Sequence, residues 1–185
     1  MRKNFGVKSW FYPQPVLIIA TYDENGNPDA MNAAWGGLYD GNKVELCLSA
    51  GHKTTKNIRA TGAFTVSFAD AANVVASDYV GLASANTEPK KMEKSGFHLT
   101  KSEFVNAPLI DELPVAMECK LVKINEDGNV IGEIVNVSAD ESVLGEDGNI
   151  DFSKFHPISF EPVHNGYHVL GERVGNAFQD GAALK

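Results

Sequence analysis

The sequence predicts a mainly β fold, an antiparallel β-barrel with a few short helices. Short runs of β-branched and aromatic residues recur along the 185-residue chain, and Asn-Gly or Asp-Gly turns follow several of them. Only three stretches have the composition of helices. Many short strands with regular turns are typical of a closed barrel, because closure removes exposed strand edges. The chain has no linker or repeat, so we expect a single domain over residues 1–185.

The first half of the chain is predicted to contain four strands and two helices. Residues 16–22 form the first strand, and the Asn25-Gly26 turn leads into a return strand over residues 29–35. Residues 44–49 and 64–68 follow as further strands. Between them, residues 52–62 fit a short helix with a threonine N-cap and a C′ glycine, and residues 71–82 fit a second helix.

The second half is predicted to begin with a short helix and to return to strands. Residues 88–94 form the helix, which Gly96 stops. Strands over residues 116–124 and 130–137 flank a hairpin turn that contains Asp127-Gly128. The last predicted strands cover residues 158–161 and 167–170, with further turns at Asp147-Gly148 and Asn165-Gly166.

Composition and charge exclude several classes of partner. The net charge of −8 argues against nucleic acid, because phosphate backbones require a basic surface. No segment reaches the length of a membrane span, and the apolar run at residues 16–20 is too short for a signal peptide. Cys47 and Cys119 form no C-x-x-C motif, so we expect two packed core thiols and a cytoplasmic location.

The segment that opens the first predicted helix has the chemistry of an anion site. A helix N-terminus presents free N–H groups and a partial positive charge. Lys53, Thr54, Thr55 and Lys56 lie at that end, with His52 just outside it. Lysine supplies positive charge and threonine supplies hydroxyl donors, so the pattern favours a phosphate. A threonine N-cap also occurs in helices that bind nothing, and the segment has neither Walker A nor G-x-G-x-x-G spacing.

A second candidate segment ends the predicted return strand. Asn32, Ala33, Ala34 and Trp35 combine small residues with an amide and an indole, which suits a flat ring lying against the main chain. Ser49 opens a Ser-Ala-Gly run that allows a close backbone approach to a ligand. Taken alone, Trp35 fits a position in the barrel core better.

Two other groups are weighed as sites. His164 and His168 have a metal-ligand spacing for a helix, but the intervening Asn-Gly turn need not bring the rings together, so we expect no metal site. Lys90 and Lys91 fit an exposed helix surface and a ligand contact equally well.

Taken together, these motifs resemble the flavin reductase-like family, the FMN-binding split barrels that include flavoredoxins. The resemblance covers nearly the whole chain. It is carried by eight segments: PVLIIAT (15–21), NAAW (32–35), HKTTKNI (52–58), APLI (107–110), MEC (117–119), GEIV (132–135), PISF (157–160) and YHVLG (167–171).

The resemblance implies a split barrel that dimerises, with FMN near the subunit interface. It assigns the phosphate to Lys53, Thr54 and Thr55, and it makes Lys90 or Lys91 a secondary contact. The residues expected to bind FMN are Asn32, Ala33, Ala34, Trp35, Ser49, His52, Lys53, Thr54, Thr55 and Ser84.

The family also implies an oxidoreductase that takes electrons from NAD(P)H or a redox partner and passes them to flavin, metal or protein acceptors. Many two-component reductases carry a histidine before the Gly-Glu-Val-like strand, whereas the hairpin at residues 126–132 has none, so electron transfer of the flavoredoxin kind stays open. Two alternatives are a non-catalytic flavin- or tetrapyrrole-binding module and a pyridoxamine-phosphate oxidase on the same barrel.

Overall fold

The computed structural model describes residues 1–185 and is mainly β, as predicted. Its strands are β1 (Gln14–Pro15), β2 (Leu17–Tyr22), β3 (Pro28–Ala33), β4 (Gly36–Asp40), β5 (Lys43–Leu46), β6 (Ala63–Phe68), β7 (Leu99–Lys101), β8 (Pro108–Ile110), β9 (Val115–Ile124), β10 (Val130–Ala139), β11 (Ile158–Glu161) and β12 (Gly166–Val169). Its α-helices are α1 (Lys53–Thr61), α2 (Val74–Leu82) and α3 (Lys91–Ser95), and two 3₁₀ helices cover Glu141–Val143 and Asp180–Leu184.

Seven strands form one curled antiparallel sheet in the order β3-β2-β6-β9-β10-β5-β4. The sheet is a half-barrel, because its two edge strands, β3 and β4, are not hydrogen-bonded to each other. The closed barrel that the strand pattern predicted is therefore wrong, whereas the split barrel that the family resemblance implied is confirmed. Two small sheets, β1-β11-β12 and β7-β8, flank the half-barrel. None of the helices has the length and hydropathy of a membrane-spanning segment.

Strand β2 connects the two main hydrophobic clusters. Side chains alternate between the faces of a strand, so Leu17 and Ile19 enter one cluster while Ile18 and Ala20 enter the other. The second cluster includes Val80 of α2, so the helices cover the outer face of the sheet at this point. Burial on both faces explains why β2 is an unbroken apolar run rather than an alternating one.

The three helices occur close to the predicted positions, but their starts differ. His52, not a threonine, is the N-cap of α1, and its side chain makes no capping hydrogen bond. Gly62 adopts the left-handed conformation at the exit, with φ of 69°, as predicted. Helix α2 begins at Val74 rather than residue 71, because the Asp70 carboxylate accepts hydrogen bonds from Asn73 and holds a turn there.

Strand β4 is an element that the sequence did not predict. It begins with two glycines, Gly36 and Gly37, which have low strand propensity. Pairing with β5 nevertheless holds it in the sheet, and just before it the Trp35 carbonyl accepts a 2.8 Å hydrogen bond from the Cys47 amide. Residues 32–35 therefore lead from the end of edge strand β3 to the start of edge strand β4, at the split of the barrel.

Candidate functional site

A cavity of about 200 Å³ lies between the start of α1 and the end of α2. Five of the ten predicted cofactor residues line it: Asn32, His52, Lys53, Thr54 and Ser84. They come from three separate parts of the chain, namely strand β3, the tip of α1 and the loop after α2. The structure therefore brings half of the predicted set together in one concave site.

The tip of α1 offers unpaired amide donors to this cavity. The N–H groups of Lys53, Thr54 and Thr55 donate to no backbone carbonyl, and no side chain caps them. The free amides and the helix dipole make this end of α1 electropositive. Its first turn contains no acidic residue that would compete with a bound anion.

A buried ion pair forms the floor of the cavity. The Lys91 Nζ atom lies 3.1 Å from Asp29 Oδ1, and the two side chains are 3% and 2% exposed. The other carboxylate oxygen of Asp29 accepts a 2.7 Å hydrogen bond from the Thr54 hydroxyl. The exposed-surface interpretation of Lys91 is wrong, because its ammonium group has a buried counter-charge. The Thr54 hydroxyl proton is directed at Asp29, so only the Thr54 amide is free to donate to a ligand.

Lys53 lies at the edge of the cavity and pairs with the β2–β3 turn. Its Nζ atom is 3.2 Å from Asp23 Oδ2, and the lysine side chain stays 30% exposed. Burial would raise the pKa of Asp23, but hydrogen bonds from Asn27, Asn25 and Lys53 outweigh it and lower the pKa to about 2. Asp23 is therefore ionised at neutral pH and holds Lys53 near the tip of α1.

Asn32 is held between β3 and α2. Its Nδ2 group donates a 3.0 Å hydrogen bond to the Ser77 carbonyl. Helix α2 approaches closely because Gly81 has no side chain: a Cβ there would lie 2.9 Å from Asn32 Cβ. Beside this contact, the Tyr167 hydroxyl donates a 2.7 Å hydrogen bond to Asp78. Burial, together with Asp78, raises the pKa of Tyr167 to about 12.

Trp35 faces a second, wider groove of about 400 Å³ at the start of β4. Its side chain is 60% exposed, so the core position is wrong for this residue. Phe11, Gly36, Gly37 and Cys47 also line the groove. Cys47 is exposed rather than packed, which corrects the expectation of a core thiol. Partial burial of its sulfur and the neighbouring Glu45 carboxylate raise the pKa of this thiol.

Four other predicted cofactor residues lie outside the 200 Å³ cavity. Ala33 packs into the core and Ala34 is half-buried. Ser49 is exposed, and its carbonyl accepts a hydrogen bond from the His52 amide at 3.1 Å. The Thr55 side chain is fully buried, and its hydroxyl has no hydrogen-bond partner.

Sequence reasoning missed two lining residues that shape the site. Asp29 and Gly81 were not candidates, because their importance depends on contacts with distant parts of the chain. One signal was available for Asp29. It is a carboxylate at the start of the predicted return strand, immediately before the apolar Ala30.

The remaining titratable groups form no second cluster of this kind. Cys119 is fully buried, as predicted, and burial raises its pKa to about 12, with Glu118 adding to the shift. His164 and His168 do approach a common atom, at 3.5 and 4.0 Å from Glu161 Oε1. No group of three or more His, Cys, Asp or Glu side chains has the arrangement of a metal site.

Comparisons with known proteins agree with this architecture. Residues 9–160 match the family model described as "Flavin reductase like domain". The flavoredoxin of Desulfovibrio vulgaris (Miyazaki F) has a TM-score of 0.93 and 36% identity, covering 98% of this chain and 100% of that one. A flavoredoxin from Methanosarcina acetivorans has a TM-score of 0.89 and 27% identity, covering 100% of both chains. An uncharacterised protein of Aquifex aeolicus is 24% identical over 79% of each chain.

Proposed function

The chain belongs to the flavin reductase-like domain family, and we propose that it binds FMN and acts as an oxidoreductase of the flavin reductase and flavoredoxin kind. One observation carries the proposal: the cavity at the tip of α1 combines three unpaired amides, Lys53 and residues of two other segments. A phosphate monoester requires this chemistry, because it carries negative charge and several acceptor oxygens.

The residues of this cavity fit the phosphate end of a flavin nucleotide. The amides of residues 53–55 and the Lys53 ammonium group would donate to the phosphate oxygens. His52 and Ser84 would line the path of the ribityl chain. Thr54 would contribute its amide alone, because its hydroxyl is bonded to Asp29. Thr55 would contribute in the same way, since its hydroxyl is buried.

The ring of FMN would lie beyond this cavity. A volume of about 200 Å³ is too small for a whole flavin nucleotide, since pockets for such ligands measure roughly 300–1,000 Å³. The segment from Asn32 to Trp35 leads from the cavity to the 400 Å³ groove. Trp35, largely exposed, offers an aromatic face to the ring, and Gly37, where an added Cβ would meet nothing within 4 Å, leaves room for it. Bound there, FMN would supply hydride and single-electron chemistry that no side chain provides.

The electron donor is either NAD(P)H or a reduced redox protein. Each would need access to the open groove beside Trp35. Rapid mixing of the FMN-loaded protein with NADH and with NADPH distinguishes the two donors. Bleaching of the flavin band identifies a nicotinamide reductase. No bleaching with either, together with reduction by a redox protein, identifies flavoredoxin-like transfer. A bound flavin that no donor reduces would contradict the oxidoreductase proposal and leave a binding module.

A lysine pair on α1 provides the test of the phosphate site. We expect Lys53→Ala to weaken FMN binding roughly 10- to 150-fold, because a hydrogen bond to a charged group contributes about 1.5–3 kcal/mol. Lys56→Ala is the matched control, since Lys56 lies on the same helix but bonds to Asn86 at 3.1 Å. Isothermal titration with FMN measures both affinities, and circular dichroism verifies the fold. Equal affinities for the two variants would refute the placement of the phosphate.

The proposal also includes a homodimer in the cytoplasm. One cross-strand row on the core side of the sheet consists of Val66, Met117 and Val137. The last of these, Val137, is nevertheless 56% exposed. A second half-barrel would cover the open end of this row. Both cysteines are free thiols, which suits a reducing compartment.

A further inference from the structure

The last fifteen residues, 171–185, follow strand β12 and form a C-terminal arm that ends in the 3₁₀ helix Asp180–Leu184. Every residue of the arm is exposed, and three large apolar side chains are almost wholly in solvent: Val174 at 101%, Phe178 at 106% and Leu184 at 93%. Leaving such side chains in water forgoes the favourable free energy of burying them. The arm therefore has apolar surface that its own chain does not use.

The arm is nevertheless a folded element. The Asp180 carboxylate accepts hydrogen bonds from the Asn176 amide at 2.8 Å and from its Nδ2 group at 3.1 Å. The guanidinium group of Arg173 donates to the Asn176 side chain. Within this turn Phe178 has a φ of 64°, a left-handed conformation that is unfavourable for a non-glycine residue. The arm therefore presents this exposed aromatic ring from a defined, strained backbone conformation.

The path of the arm is shared with a solved structure. The similarity to the Desulfovibrio flavoredoxin extends over 98% of this chain at a TM-score of 0.93. Because only about 2% of this chain lies outside the alignment, most of the 15-residue arm is aligned with that structure. An unsupported tail would have no reason to follow one path in two proteins of 36% identity.

The surface area of the whole chain, to which the exposed residues 1–13 and the arm both contribute, indicates a large partner. A compact monomer of 20.0 kDa exposes roughly 8,700 Å². This chain exposes 11468 Å², an excess of roughly 2,800 Å² over that value. Obligate homodimers bury a comparable area, roughly 1,000–2,500 Å² or more for each chain. The excess is too large for a small ligand and is of the size that a second copy would cover.

We propose that the C-terminal arm of each chain docks on a second copy of the same chain, with Phe178 buried in the contact. This inference rests on the proposed homodimer but not on FMN binding. It goes further by naming the exchanged segment and the side chain that anchors it. Because a two-fold dimer is reciprocal, each chain both donates an arm and receives one.

Site-specific photo-crosslinking tests the proposal. Phe178→p-benzoylphenylalanine is prepared in the full chain, and equal amounts of ¹⁵N-labelled and unlabelled protein are mixed, allowed to exchange and irradiated. We expect mixed light–heavy crosslinked peptides that contain residue 178. The same replacement at Phe104, a 54% exposed ring on a loop, is the control and should give fewer.

Two outcomes would overturn the proposal, and they are distinguishable. Sedimentation of the same sample gives the oligomeric state. A monomer would refute the homodimer and the docked arm together. A dimer whose residue-178 crosslinks join only atoms of one chain, or number no more than those at residue 104, would refute the arm and leave the homodimer standing.

Discussion

At the scale of single residues, the ion pair between Asp29 and Lys91 decides what the cavity at α1 can bind. Removing two charges from water is costly, and their attraction offsets this only when the geometry is good and the remaining polar atoms are bonded. Here Asp29 also accepts from Thr54, so both of its oxygens have partners. The pair is close to neutral overall, which leaves the amides of α1 and the Lys53 ammonium group as the positive features of the cavity.

Adjacent lysines on α3 test this buried pair. Lys91→Met should lower the free energy of unfolding by about 3–5 kcal/mol, because it leaves the Asp29 carboxylate buried without a counter-charge. Lys90→Met should change it by less than about 0.5 kcal/mol, since Lys90 has a 69% exposed side chain. Urea denaturation measures both. Adding Asp29→Asn to the Lys91 variant should restore part of the loss, and the absence of any recovery would argue against the pair.

The residues of the site were predictable to different degrees. Local physics identifies the tip of α1, because free amides and a lysine near a helix start are visible in the sequence. The direction of the Thr54 hydroxyl was not predictable, because its acceptor, Asp29, lies on another strand. The burial of Lys91 was not predictable for the same reason, because only its tertiary partner distinguishes it from the exposed Lys90.

At the scale of elements, tight packing across the sheet explains why one position of β10 is a glycine. A Cβ on Gly132 would lie 2.3 Å from Cζ of Phe64, which is fully buried. Gly132→Ala should therefore destabilise the protein by about 1–3 kcal/mol, as overpacked cores do. Gly37→Ala on β4 is the control, since nothing lies within 4 Å of its added methyl group. Thermal unfolding compares the two, and similar midpoints would show that the Phe64 ring moves aside freely.

The strands and helices were predictable where their signals are local. The β2–β3 hairpin follows from the Asn25-Gly26 turn and its apolar flanks, and the exit of α1 follows from Gly62. Strand β4 was missed because its glycines carry no strand signal and only β5 holds it in place. The prediction that the barrel closes was wrong, because the alternation of apolar and polar side chains within each strand does not reveal whether the two edge strands pair.

At the scale of the whole molecule, the stability of the fold at alkaline pH depends on two groups that are neutral in the folded chain, a thiol and a phenol. The pKa of Cys119, in the sheet core, and that of Tyr167, between β12 and α2, are both raised to about 12. The unfolded chain ionises near the ordinary values of 9.0 for the thiol and 10.0 for the phenol. It therefore releases protons before the folded chain does. Stability present below pH 9 must fall as the pH rises towards 12.

Tyr167→Phe separates one contribution to this decline. The variant loses the hydrogen bond to Asp78, so its urea midpoint should be lower at neutral pH. Its midpoint should then fall less steeply than that of the wild type between pH 10 and 12, because no phenol remains to ionise on unfolding. Tyr39→Phe, at a more exposed ring, is the control for removing a phenol hydroxyl elsewhere in the chain. Parallel wild-type and Tyr167→Phe curves would mean that the hydroxyl ionises as readily in the folded protein as in the unfolded one, and that the contact linking the small sheet to α2 is open to solvent.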